Sequence, residues 1–210
     1  MKKILIFLLF FSAHVHAQTV VKDFFSLSAP EKWWVVLHPF KAKKALNISK
    51  DALKVTDSIS ATDQLDNDIN GGQLDAFKHS FWMASLTQHI GKRSAIKLGE
   101  AHEQGNYISF KRQQLEDGSL PDKAASEMDL FNNQIGQTVA ISNKGAKKEV
   151  LIEIIIKAIH KGEMRILLKN DAGRFLNCNE TVIPKDSLSN TWENNKCLVP
   201  SNKKQASSFL

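Results

Sequence analysis

Two pairs of ionisable residues on predicted helices indicate where this chain could do chemistry. Asp75 precedes His79 by four residues, so the two side chains share a helix face on which the carboxylate can orient the imidazole. His102 and Glu103 form the second pair, and His102 falls within an otherwise apolar helical stripe. Buried polar groups cost free energy unless they are paired, so such groups indicate either a site or an internal polar network.

A third cluster consists of short polar side chains. Asp129, Asn132 and Asn133 share a helix face with small residues and with no lysine or arginine. A solvated face favours long charged residues, whereas short carboxylate and amide groups beside alanine and glycine are typical of a pocket lining. If the three clusters converge, they create one site lined by imidazole, carboxylate and amide groups.

These residue types favour hydrolysis or proton transfer. We expect His79, His102, Glu103 and Asp129 to be catalytic, and either Glu103 or Asp129 to activate water. His79, His102 and Asp129 could hold a divalent metal such as zinc, because two imidazoles and one carboxylate leave one coordination position open. Asp75 would then accept a hydrogen bond from the His79 ring and fix its orientation without binding the metal itself.

Three further residues are predicted to contact the substrate. Lys78 could stabilise developing negative charge, and the amides of Asn132 and Asn133 offer hydrogen-bond donors and acceptors. The helical part contains no Gly-x-Ser-x-Gly elbow and no candidate nucleophilic cysteine, which disfavours covalent acyl transfer. The His-Glu pair also lacks the second histidine of the His-Glu-x-x-His zinc-protease motif, because Asn106 occupies that position.

Helices must position these groups. Hydrophobic periodicity predicts helices near residues 31–60, 73–89, 94–104, 122–137 and 147–160. Pro39 is expected to kink or restart the first of them. Glycines at 91 and 105 are expected to end the second and third.

The chain changes character after residue 162. Short apolar segments flank the turn Asn170-Asp171-Ala172-Gly173, which predicts a β-hairpin. Cys178 and Cys197 form an even pair, which in an exported protein indicates a disulfide. We therefore expect a mainly α fold, with a single helical domain at 18–161 and a small disulfide-pinned hairpin and loop piece at 162–210.

The N-terminus has the pattern of a secretory signal peptide. A basic start precedes the apolar run of residues 4–11, and Ala17 supplies a small residue for cleavage before Gln18. The prediction is a signal peptide at 1–17 and a periplasmic or secreted protein. No later apolar stretch is long enough to span a bilayer without charges, so no transmembrane segment is expected after cleavage.

The charge distribution bears on partners. The formal net charge is +6, and the basic residues are scattered rather than arranged in a stripe with interleaved aromatic residues. No nucleic-acid partner is therefore expected. We interpret the basic residues as solvated surface groups. Their functional interpretation is a weak attraction to an anionic envelope surface. An envelope polymer, a phospholipid or a small molecule fits the predicted compartment.

Three motifs resemble those of an uncharacterised family of bacterial exported domains. They are Ala-Phe-Lys-His-Ser-Phe-Trp at 76–82, Ala-His-Glu at 101–103 and Met-Asp-Leu-Phe-Asn-Asn-Gln-Ile-Gly at 128–136. The family carries Phe-Arg-His-x-x-Trp, His-Glu and Asp-Leu-x-Asn-Asn-x-x-Gly in that order. Lys78 replaces the usual arginine, which keeps the charge but loses the planar fork. The family is a domain of unknown function, so the resemblance implies a site without naming its chemistry.

Two classes of function fit these observations. The leading hypothesis is an exported hydrolase with a site between helices, in which His79 and His102 are either metal ligands or acid and base groups; the substrate is left open. The alternative is a non-catalytic exported binding or interaction domain, or a toxin-like module, in which the same polar residues form a structural network.

Overall fold

The computed structural model describes residues 24–116 and 118–203, so the predicted signal peptide lies outside the described residues. The helices are α1 (Ala29–Leu37), α2 (Pro39–Ser60), α3 (Gln73–Ile90), α4 (Lys92–Lys111), α5 (Lys123–Ser142), α6 (Lys148–His160) and α7 (Lys185–Leu188). The strands are β1 (Arg165–Leu167) and β2 (Leu198–Pro200), which pair antiparallel. The prediction of a mainly α fold with a small C-terminal β piece is confirmed.

The helix α3 lies at the centre of the helical body, and most of its side chains are buried. It packs against α2, α4, α5 and α6. One apolar cluster joins Phe77 and Phe81 of α3 to α6, and a second joins Leu86 to Trp34 of α1 and Leu98 of α4. Burying each such side chain stabilises the fold by roughly 1.5–3 kcal/mol, so α3 is held from two sides.

A glycine sets the distance between α3 and α5. A Cβ atom at Gly136 would lie 2.1 Å from the carbonyl oxygen of Ser80. Only glycine allows the two backbones to approach this closely. The polar face of α5 is therefore pressed against α3.

The start and restart of the first helices follow from local chemistry. The Ser28 side chain accepts a hydrogen bond from the backbone of Glu31, and Glu31 accepts one from the backbone of Ser28. This capping box begins α1. Pro39 begins α2, as the sequence predicts, because proline suits the first turn of a helix.

The helix α4 is longer than its sequence pattern predicts. Gly105 is read from the sequence as the end of the helix, whereas α4 continues to Lys111. A Cβ atom at Gly105 would lie 2.5 Å from the Ser28 hydroxyl oxygen. The glycine thus makes room for the beginning of α1, and the connection to α5 shortens to residues 112–122.

The C-terminal piece is pinned by the predicted disulfide between Cys178 and Cys197, whose Cα atoms lie 4.9 Å apart. In the chain-entropy model, a bridge that closes a loop of this length stabilises by about 3 kcal/mol. The predicted turn pairs Lys169 with Phe175 in an isolated bridge, but the regular sheet forms between β1 and β2. The disulfide is typical of proteins in an oxidising compartment.

None of the helices in the described ranges is both long and apolar enough to cross a membrane.

Candidate functional site

Three buried side chains from α3 and α5 meet at one point. His79 Nε2 lies 3.5 Å from Asp75 Oδ1 and 3.4 Å from Asp129 Oδ1. One ligand atom from each residue can be chosen so that all three lie within 4.8 Å of one another. Hydrogen bonds between such groups are usually about 2.7–3.2 Å long, whereas two ligands about 2.1 Å from a tetrahedral ion are about 3.4 Å apart. The three residues could therefore hold a metal ion.

Local contacts hold Asp75 in this position. It lies one helical turn before His79, so the two side chains share a face of α3. The backbone N–H of Gly71 donates to Asp75 Oδ2 at 2.8 Å, and Lys78 Nζ lies 2.9 Å from Asp75 Oδ1. The lysine brings a positive charge to a cluster that carries two carboxylates.

The environment keeps His79 neutral. Burial lowers the pKa of His79 well below its ordinary value, and the positive charges of Lys78 and His102 act in the same direction. Its Nδ1 atom is buried and has no hydrogen-bond partner among the described residues. Neutral imidazole is the form that binds a metal.

Asp129 is shifted in the opposite direction. Burial raises the pKa of Asp129 well above its ordinary value, and the charges of Asp75 and Glu103 reinforce the shift. Its Oδ1 atom is buried without a hydrogen-bond partner in the described part of the chain. A bound cation would favour the ionised carboxylate and release its proton.

The cluster faces a cavity of about 40 Å³. A cavity of that size accommodates a few water molecules. Beyond Asp75, Lys78, His79 and Asp129, the walls include Asn70, Gly71, Glu116, Pro121, Leu167, Phe175 and Lys196. The helical body, the α4–α5 connection and the C-terminal piece all contribute to the cavity.

His102 lies beside the cluster but is not part of it. Its ring centroid is 6.2 Å from that of His79. Its Nδ1 atom lies 3.1 Å from Glu31 Oε1, and its Nε2 atom lies 3.1 Å from Glu116 Oε1. The sequence pattern predicts His102 as a metal ligand with Asp75 behind His79. In the structure both nitrogens of His102 face carboxylates. Asp75, and not His102, is the third member of the cluster.

The bridge from Glu31 through His102 to Glu116 is ionic. Burial alone would lower the pKa of His102, but its hydrogen bonds with Glu116 and Glu31 outweigh burial and raise that pKa well above its ordinary value. For Glu31, burial would raise the pKa, but the hydrogen bond and charge of His102 lower it. The imidazolium therefore links α1, α4 and the α4–α5 connection.

Glu103 is buried on α4 next to this bridge. Burial raises the pKa of Glu103 to about 7, although the charge of His102 opposes the shift. The side-chain amide of Asn106 donates to Glu103 Oε2 at 3.2 Å. A carboxyl group with this pKa can take up and release a proton near neutral pH. Glu103 is absent from the cavity walls formed by the described residues.

The two asparagines of α5 have different surroundings. Asn132 is fully buried; its amide donates to the Arg165 carbonyl at 2.9 Å and accepts from the Arg165 N–H at 3.0 Å. The sequence pattern predicts a substrate contact for Asn132, whereas this geometry makes it the anchor of β1. Asn133 lies against Gly99, where a Cβ atom would be 3.3 Å from its Nδ2 atom. Neither amide atom of Asn133 has a partner among the described residues.

Three residues around the site carry no chemical signal in the sequence. Glu31 is visible only as the glutamate at position N3 of a capping box. Glu116 lies in a connection without periodicity, and Lys196 lies beside a disulfide cysteine in a loop. Each reaches the site through tertiary contacts, which periodicity does not predict.

The fold and this cluster define a small helical domain with a buried histidine and carboxylate site. A family model described as a domain of unknown function (DUF6973) matches residues 32–163, and the chain belongs to that family. No curated protein and no solved structure matches the chain. The matched region contains Asp75, His79 and Asp129, and it ends before β1.

Proposed function

We propose that this protein is an exported hydrolase that uses a divalent metal ion, preferably zinc, held by Asp75, His79 and Asp129. The observation that supports it best is the spacing of two carboxylate oxygens at 3.4 and 3.5 Å from one imidazole nitrogen. These distances are long for direct hydrogen bonds and suit ligands that share an ion. The adjoining cavity leaves a coordination position for water or substrate.

Each residue would have a defined task. The ion would lower the pKa of a bound water and polarise the bond to be cleaved. Lys78, in the cavity wall, would stabilise the negative charge that develops on the substrate. Glu103, which lies outside the cavity walls formed by the described residues, would act through its charge, which raises the pKa of Asp129 and keeps that ligand basic. Asp75 is thus a ligand in this proposal, and His102 a residue that fixes the surrounding elements.

The second candidate is a non-catalytic binding domain with a structural polar network. The bridge of His102 with Glu31 and Glu116 favours it, as do the backbone contacts of Asn132, because these groups connect elements of the fold. The cluster differs from such a network, since Asp129 Oδ1, the atom that faces His79 Nε2, lacks a hydrogen-bond partner within the described ranges.

Metal binding tests the proposal. Purified protein treated with a chelator is titrated calorimetrically with Zn²⁺ and, separately, with Mn²⁺ and Mg²⁺. We expect one zinc ion per chain, and affinity weakened at least about 100-fold by His79→Ala or Asp129→Asn. His160→Ala, at an exposed position on α6, is the matched control and should bind like the wild type. Absence of stoichiometric zinc binding by the wild type would remove the metal site.

Hydrolysis is then measured on activated carboxylic esters and phosphodiesters with the metal-loaded protein. His79→Ala should lower kcat/KM by about 1,000-fold or more, because it removes groups that act in the transition state. Lys78→Ala should lower kcat by about 10–100-fold with intact zinc binding. Zinc binding without turnover of any substrate would favour the binding domain.

A further inference from the structure

We propose that an exposed apolar surface at the junction of α1 and α2 docks on an anionic lipid bilayer. Trp33 and Leu37 of α1 are 67% and 71% exposed, and Phe40 in the first turn of α2 is fully exposed. Val36 lies beside them and is also exposed. These four residues are called the α1–α2 patch. Contiguous large apolar side chains in water mark an interaction site more often than scattered ones do.

The patch continues into an open groove. The groove lies between α1 and α4 and has a volume of about 460 Å³. Trp33 and Leu37 form its α1 side, and Ala101 and Ile108 belong to its α4 side. A groove of this size and lining could accept part of an acyl chain.

Buried anchors fix the outward orientation of the patch. The Trp34 indole N–H donates to the Ser94 carbonyl at 3.0 Å, and the His38 ring stacks on Trp34 with centroids 4.6 Å apart. Because Trp34 fills the interior position, the adjacent Trp33 points away from the core. The patch is therefore a preformed surface whose display costs little additional ordering on binding.

A basic rim, formed by exposed lysine and arginine side chains at the starts of α2 and α4, lies on the segments next to the patch. Lys41 Nζ donates to the Ile90 carbonyl at 2.8 Å, which places the start of α2 beside the exposed start of α4. The exposed basic residues of these two segments are Lys43, Lys44, Lys92, Arg93 and Lys97. Glu100 is the single acidic residue in the groove lining among the described residues.

This combination selects an anionic membrane as the occupant. Aromatic and aliphatic side chains that enter the headgroup region, flanked by lysine and arginine that pair with lipid phosphates, are what interfacial docking requires. A second copy on the same patch would bring two basic rims together across a two-fold axis, and their like charges would repel. The inference does not depend on the proposed metal site.

Vesicle binding tests the inference. The protein is mixed with sedimentable vesicles of phosphatidylcholine, with or without phosphatidylglycerol, and the bound fraction is measured. We expect at least about tenfold stronger partition onto the anionic vesicles, weakened by salt. The double variant Trp33→Ser/Phe40→Ser should lower that partition about 100-fold. Lys43→Glu/Lys44→Glu should lower it about tenfold on anionic vesicles and have little effect on neutral ones.

A matched control separates docking from folding. Ile141→Ser changes an exposed apolar residue at the end of α5, outside the patch, and should leave vesicle binding unchanged. Thermal melts of each variant show that the fold is intact. Equal binding to both vesicle types, or wild-type binding by Trp33→Ser/Phe40→Ser, would overturn the inference. A dimer that dissociates in that double variant would also overturn it, because a second copy would then occupy the patch.

Discussion

Stability and the proposed function favour different protonation states of Asp129: the metal-free fold favours the protonated carboxyl, whereas metal binding favours the carboxylate. The Asp129 carboxyl group is buried, and its pKa is raised by burial and by the charges of Asp75 and Glu103. The folded protein without metal therefore holds this proton more tightly than the unfolded chain does. The resulting stabilisation is fully present below the unfolded pKa and is lost as pH rises through the folded pKa.

Asp129→Asn should separate the two effects. The amide keeps the shape and removes the charge, so the metal-free variant should be more stable than the wild type by about 1–2 kcal/mol near pH 8. The difference should shrink as pH falls toward the ordinary aspartate pKa of 3.8, because the wild-type carboxyl takes up its proton on the way. Urea denaturation with a chelator present measures both values. A stability difference that does not change with pH would show that Asp129 is ionised throughout.

Residue types and spacing predicted part of this site. Asp75 and His79 are one helical turn apart, and the short polar face of α5 identifies Asp129. The sequence could not decide which histidine joins the carboxylates. The answer depends on Glu31, which is 71 residues from His102 in the chain, and on Glu116. These partners occupy both nitrogens of His102, and no local pattern encodes them.

At the scale of elements, His102 joins α1, α4 and the α4–α5 connection through its two carboxylate partners. The pKa of His102 in the folded state is raised, so its contribution to stability is fully present below its ordinary value of 6.5. That contribution is lost as pH rises through the raised value. Because the three side chains are partly exposed, the bridge is worth only about 1 kcal/mol.

His102→Gln should therefore destabilise the protein most at mildly acidic pH. We expect a loss of about 1 kcal/mol near pH 6, which decreases as the solution becomes alkaline. Unfolding free energies across this range measure the effect, and His160→Ala serves as the exposed control. A loss of stability that grows with pH would mean that neutral His102, and not the imidazolium, makes the stabilising contact with the two carboxylates.

The crossing of α3 and α5 can be tested with two glycines that share a helical setting. Gly136→Ala places a methyl group against the Ser80 backbone, whereas Gly99→Ala meets the flexible end of Met83 at 2.7 Å. Alanine gains about 1 kcal/mol of helix propensity at both positions. We expect Gly99→Ala to stay within about 1 kcal/mol of the wild type and Gly136→Ala to lose about 3 kcal/mol.

Gly136→Ala should also weaken zinc binding, because the displaced α5 carries Asp129 away from His79. Calorimetric titration of both variants measures this effect. Equal stability and zinc affinity in the two variants would show that the close crossing does not set the site geometry. Periodicity predicts these helices well, but it does not predict such a contact. Gly105 illustrates the same limit, since a nearby Ser28, and not a helix end, explains its identity.

At the scale of the whole molecule, the C-terminal piece completes the cavity. Phe175 and Lys196 line it, and Lys196 Nζ lies 3.7 Å from the centroid of the Phe175 ring. Lys196 pairs with Asp122 at the start of α5, which holds the piece against the helical body. The family match ends at residue 163, so this wall is formed by chain outside the matched region. We therefore expect this wall to influence which substrate binds without changing the proposed metal ligands.

The disulfide allows the separate roles of the C-terminal piece, which forms the cavity wall, and of the helical body, which carries the ligands, to be tested. Cys178→Ser/Cys197→Ser should lose about 3 kcal/mol of stability, because the open chain gains entropy on unfolding. Zinc affinity should change less than about threefold, since α3 and α5 carry every proposed ligand and Gly136 sets their distance. Turnover should fall more than zinc affinity, because Phe175 and Lys196 lose part of their support. Reducing the disulfide of the wild type should reproduce all three results. A zinc affinity that falls with the stability would mean that the C-terminal piece positions the ligands themselves.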